Sequence, residues 1–148
     1  MDQIVREHLS TSILIRAGIG RVYDAFTTAA DLDAWFTDGA EVDARPGGSI
    51  HFRWKDWGPD HYTGEDGGPV VEARRPELFE FRWHPVGPDV DIAVRIELIE
   101  VPEGTIVRLT DSGYPDTERG RTRQLECAAG WGEALALCKF FVEHGVRY

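Results

Sequence analysis

His51, His61 and His84 lie in strand-like sequence, and Asp56, Asp60, Glu65 and Asp66 gather around one turn. Imidazole changes charge near neutral pH, so these histidines are candidates for acid or base work in a pocket. His51 and His84, however, alternate away from the apolar positions of their strands, which directs them to solvent. Paired carboxylates do general acid/base chemistry when burial separates their pKa values. Here the glycine and proline neighbours mark an exposed loop, where carboxylates merely solvate the surface. No H-x-H, H-E-x-x-H or C-x-x-C spacing occurs, so no metal site is expected. G-x-S-x-G is absent and neither Cys127 nor Cys138 has a base identifiable in the sequence, so no catalytic residue is assigned. The run RGRTR, Arg119 to Arg123, sets three arginines near a helix start, where positive charge is mildly unfavourable. An anionic ligand would offset that cost, but Glu118 and Glu126 at helical spacing are simpler partners.

The remaining chemistry is apolar. Trp35, Phe36, Phe52, Trp54, Phe81, Trp83, Trp131 and Leu135 would line a hydrophobic cavity if the segments carrying them converge. The same rings would equally well fill an ordinary core, which aromatic residues dominate in any case. One segment speaks to the choice. GWGEALALCKFF, Gly130 to Phe141, reads as helix, yet two glycines flank Trp131 at about 1 kcal/mol each against alanine. Clearance around a ring is the reason offered for them.

These residues need positioning elements. Residues 4–16 alternate as a strand, and Gly18 and Gly20 end it. A helical pattern opens at Arg21, with Val22, Ala25 and Phe26 on one face. Asp31 is the expected N-cap of a second short helix, Leu32–Phe36. From Ala40 to Asp111 the period becomes 2. Turn signals at RPGG, WGPD, RRPE, GPD and PEG separate six strands, one of which, His61 to Ala73, is interrupted by Gly64, Gly67, Gly68 and Pro69. A bulge or an irregular first half is expected there. From about Asp116 the helical period returns, and Cys127, Trp131, Ala134 or Leu135, Cys138 and Phe141 form one apolar stripe. That helix is roughly 40 Å long, enough to cross a sheet. Hairpin-linked strands with one long amphipathic helix predict an α+β domain whose antiparallel sheet curls around the helix.

Bulk properties set the outer limits. The 148 residues fit one domain, 1–148. Twenty-six acidic against sixteen basic residues give a formal charge of −10, which opposes binding to nucleic acid or to an anionic membrane. No run approaches the roughly 18 apolar residues of a membrane span. On one helix the two cysteines would sit about 16 Å apart, out of disulfide reach. Free buried thiols fit a reducing, cytoplasmic setting.

Taken in order, the segments resemble a known family. GRVYDAFTTAADLDAWF, Gly20 to Phe36, resembles the opening helices of the SRPBCC, or START-like, superfamily, and in particular its activator of heat shock protein 90 ATPase homologue-like branch. PGGSIHF, Pro46 to Phe52, is similar to that branch's glycine-led third strand. GPVVEARRPELFEFRW, Gly68 to Trp83, and GWGEALALCKFF are similar to its Trp-ended strand pair and its closing helix. The likeness spans nearly the whole chain. It implies a helix-grip fold, in which seven antiparallel strands wrap a long C-terminal helix and leave a cavity between. GIG, Gly18 to Gly20, departs from the family's polar or proline helix opening. The eukaryotic co-chaperones that name the branch use an additional domain, so their activity is not carried over.

The expectation is therefore a protein that binds an apolar small molecule, without a cofactor, at roughly 25 cal/mol per Å² of apolar surface buried. Its oligomeric state is open, with a homodimer among the options. Two rivals stand beside it. A cyclase/aromatase-type enzyme acting on a polyketide-like substrate would need His or a carboxylate among the rings. A chaperone-interacting module would need a large exposed apolar patch.

Overall fold

The computed structural model describes residues 3–148. Its elements are β1 (Leu9–Ile15), α1 (Ile19–Thr27), α2 (Ala29–Trp35), β2 (Glu41–Val42), β3 (Ser49–Trp57), β4 (Tyr62–Arg74), β5 (Leu78–Trp83), β6 (Ile92–Val101), β7 (Gly104–Ser112) and α3 (Glu118–His144). Seven strands form one antiparallel sheet in the order β1-β7-β6-β5-β4-β3-β2. Every neighbouring pair except β1–β7 is also consecutive in the chain, as hairpins require. The sheet curves around α3, which is the helix-grip arrangement.

Alternation decides what each strand contributes. On β3, Ile50, Phe52 and Trp54 are buried, and on β5 so are Phe79, Phe81 and Trp83. On α3 the buried positions Gln124, Cys127, Trp131, Ala134, Leu135 and Cys138 form the stripe that meets the sheet. Thr117 caps this helix by accepting the Gly120 N–H at 3.0 Å, and Gly145, in the left-handed region, closes it. Two bonds from α3 to the N-terminal backbone fix its lengthwise position: Gln124 Nε2 donates to the carbonyl of Glu7, just before β1, and Lys139 Nζ to that of Leu14 within it.

Local boundaries differ from expectation at two places. The first strand begins at Leu9, because Ile4 makes only an isolated bridge to Pro115. Helix α2 starts at Ala29 with Thr28 in the cap position, so Asp31 is not the N-cap. Asp31 sits in the first turn and pairs with Arg21 at 2.5 Å, where a carboxylate also suits the helix dipole. The irregularity expected in β4 is present: its register shifts against β3 between Trp54 and Trp57, opposite Gly64 and Tyr62, and against β5 between Val70 and Glu72. The reason is spatial. A Cβ on Gly67 would lie 2.3 Å from the Ile50 carbonyl oxygen and one on Gly68 2.3 Å from that of Arg82, so the bare residues let three backbones run close together.

Candidate functional site

The far ends of β3 and β5, the start of β4 and the first half of α3 enclose a cleft of about 1000 Å³. Its apolar wall consists of Phe36, Trp54, Trp57, Tyr62, Trp83 and Trp131. Phe36, the residue that ends α2, is the hub of this wall. Its ring stacks on Trp35 at 5.1 Å and meets Phe52, Trp54, Trp57 and Trp131 at 5.4–5.7 Å, mostly edge to face. Such geometry is favourable beyond the area it buries, and Trp35 and Phe52 back the wall from the core.

Four of the eight residues read from the sequence as cavity lining are on the cleft: Phe36, Trp54, Trp83 and Trp131. The structure places Trp35, Phe52, Phe81 and Leu135 one layer deeper, each buried to within 2% of its surface. Trp57 and Tyr62 join the lining from the two sides of the WGPD turn, and Cys127 and Gly130 from α3. A Cβ at Gly130 or Gly132 would meet nothing within 4 Å, and Gly130 opens onto the cleft. The space beside Trp131 is thus cleft on the Gly130 side.

The tryptophans differ in how their N–H groups are satisfied. Trp35, in the core, donates Nε1–H to the Ala25 carbonyl at 2.9 Å. Trp57, Trp83 and Trp131 have enclosed Nε1 atoms without a hydrogen-bond partner among the described residues. All three are on the cleft. Buried polar groups are normally paired, so a concentration of unpaired ones marks a place with another role.

Titratable groups also reach the lining. His84 is held between two carboxylates, with Nε2 2.8 Å from Asp91 and Nδ1 3.4 Å from Asp66. Asp66 accepts the backbone N–H of Gly67 at 2.7 Å and that of His84 at 3.0 Å. This replaces ladder bonds where β4 and β5 separate. The side chain of His84 is 29% exposed, deeper than its strand alternation implied. His61, by contrast, is exposed and pairs with Asp56 at 2.5 Å, and His51 is not on the cleft.

Behind Cys127 lies a buried polar chain. Tyr114 donates its hydroxyl to Asp111 Oδ2 at 2.7 Å, and both residues are sealed from solvent. Burial pushes the Asp111 carboxyl up, against the Tyr114 hydroxyl, the residue's own backbone and His8. Burial likewise raises the Cys127 thiol, against Tyr114 and Arg123. A thiol so raised stays protonated at neutral pH and is a poor nucleophile. Cys138, deep in the core, is raised by burial as well.

The arginines of RGRTR are structural. Arg119 donates to the Val86 carbonyl and Arg123 Nε to that of Pro85, both at 2.8 Å, clamping the β5–β6 connection onto α3. Arg123 also pairs with Glu126 at 2.5 Å, and Arg121 pairs with Asp116. Among the described residues no group of three His, Cys, Asp or Glu side chains is placed to hold a metal ion. None of the described helices is long and apolar enough to cross a membrane.

Comparison with known proteins agrees with this architecture. The structure is similar to the Aha1 dimer from Colwellia psychrerythraea, at 22% identity and a TM-score of 0.77, covering 94% of this chain and 98% of that one. A protein from Staphylococcus saprophyticus matches with a TM-score of 0.76 at 19% identity, over 96% of each chain. DynU16, from the dynemicin biosynthetic locus, matches with a TM-score of 0.81 at 19% identity, over 97% of this chain and 51% of its own. At such identities the likeness is one of fold. No curated protein matches by sequence. The model of the family described as Activator of Hsp90 ATPase homolog 1-like protein matches residues 16–139, and the chain belongs to that family.

Proposed function

We propose that this protein binds an apolar small molecule in the cleft between the curved sheet and α3. The observation that carries the reading is the cleft itself: about 1000 Å³ walled by six aromatic side chains. That volume is at the upper end of small-molecule sites, about 300–1,000 Å³, which are mostly apolar with few polar groups. The indoles of Trp57, Trp83 and Trp131 support it by adding apolar ring surface to the lining. The free, buried cysteines support a reducing, cytoplasmic setting.

One observation favours a second reading, an enzyme of the cyclase type: Asp66 and His84 meet on the lining. It ranks behind binding because their hydrogen bonds anchor the backbone and Asp91, which leaves neither ring nitrogen of His84 facing away from a carboxylate.

Titration with the neutral dye Nile red tests the reading. The expected result is an emission rise that saturates at one dye per chain and is reversed by competing apolar molecules. No emission change at saturating dye, together with a bare mass in native mass spectrometry of the protein as purified, would overturn it.

A further inference from the structure

The charges around the cleft are unbalanced, and the imbalance specifies the ligand further. Five carboxylates, Asp60, Glu65, Asp66, Glu126 and Glu133, face one arginine and one histidine on the lining. Arg123 is paired with Glu126 at 2.5 Å, and His84 lies between Asp66 and Asp91. Glu65 lies 3.6 Å from His51 and 3.8 Å from Arg53. That leaves Asp60 and Glu133, neither of which has a hydrogen-bond or ion-pair partner among the described residues. They come from different elements, Asp60 from the β3–β4 turn and Glu133 from α3, and both line the cleft.

Resting on the proposed binding function, we infer that the cleft takes an apolar or aromatic molecule bearing a cationic group, an amine or ammonium held at the mouth between Asp60 and Glu133. The physical grounds are two. Asp60 and Glu133 are exposed and unpaired among the described residues, so each attracts a cation with the moderate strength of a surface charge, and both act on the same cleft. The faces of Trp54, Trp57, Tyr62 and Trp83 carry negative potential and add cation–π attraction. An anionic ligand would meet the same groups as repulsion, with no free cation on the lining to receive it. The formal charge of −10 extends this preference into solution by steering cations toward the protein.

Calorimetric titration with three probes of one skeleton tests the inference: 2-naphthylmethylamine, 2-naphthalenemethanol and 2-naphthoate. The amine should bind about tenfold tighter than the carboxylate, with the alcohol between them. In an Asp60→Asn/Glu133→Gln double variant the amine should fall to the level of the alcohol, whose own affinity is unchanged. A Glu100→Gln/Glu103→Gln variant, at the far β6–β7 turn, should leave the amine's advantage intact. Equal affinity for all three probes would overturn the inference while leaving apolar binding standing. An amine advantage that survives the Asp60/Glu133 change would also overturn it, assigning the preference to overall charge. No binding of any probe would contradict the binding function itself.

Discussion

Trp83 on β5 and Trp131 on α3 meet across the sheet–helix seam with ring centroids 5.4 Å apart and planes tilted by 45°. Both line the cleft, and neither indole N–H has a hydrogen-bond partner among the described residues. The pair marks where the core stops being a core. On one side lie Phe52 and Phe81, sealed by neighbours. On the other lies open space that no side chain fills.

The contrast with Trp35 gives a stability prediction. Trp35→Phe removes ring area and also the bond to the Ala25 carbonyl. Trp83→Phe removes similar area but no hydrogen bond. Trp35→Phe should therefore cost about 1–2 kcal/mol more. Urea unfolding of the two variants checks this; equal costs would contradict the contrast.

The helix glycines give a second. Gly130→Ala and Gly132→Ala meet no neighbour and should each stabilise by about 1 kcal/mol, the helix propensity difference. Gly120→Ala should destabilise, because its Cβ would lie 1.9 Å from the Pro115 carbonyl oxygen. The three thermal midpoints, two up and one down, decide the matter. A loss at Gly130 would mean that something fills the space beside it.

Asp111 gives a pH prediction. Its carboxyl is raised by burial above the ordinary value of 3.8. Between that value and the raised one the folded state holds a proton that the unfolded state has released, so stability falls as pH rises. Above the raised value the loss is complete. Asp111→Asn keeps an oxygen for the Tyr114 hydroxyl and removes the charge. The variant should gain on the wild type as pH rises above the ordinary carboxylate value, and the gain should level off once Asp111 ionises in the folded state too. Urea unfolding across that range measures the difference; one that is flat in pH would contradict the assignment.

Much of this could be read from residue order. Period-2 alternation put Phe52, Trp54, Phe81 and Trp83 on the buried face, and the α3 stripe through Cys127, Trp131 and Cys138 followed from spacing alone. Alternation fixes a face but not a depth. Whether Phe81 or Trp83 borders the cleft depends on where β4 and β5 part, which Asp66 and His84 control through tertiary bonds. Trp57 was hidden because WGPD signals a turn, whereas β3 continues through a register shift to that residue. The Asp111–Tyr114–Cys127 chain joins a strand, a loop and a helix, and only packing brings its members together. Thr28 rather than Asp31 takes the cap because the two short helices abut directly, leaving no loop between them.

Filling the cleft tests the central claim most directly. Gly130→Leu places a side chain on the lining beside Trp131, and Gly132→Leu adds the same group to the same helix off the lining. Nile red affinity is compared across the wild type and both variants, with thermal midpoints confirming that each is folded. The account predicts about tenfold weaker binding for Gly130→Leu, a loss of roughly 1.4 kcal/mol, and unchanged binding for Gly132→Leu. Equal affinity in all three proteins would show that the ligand does not occupy this cleft.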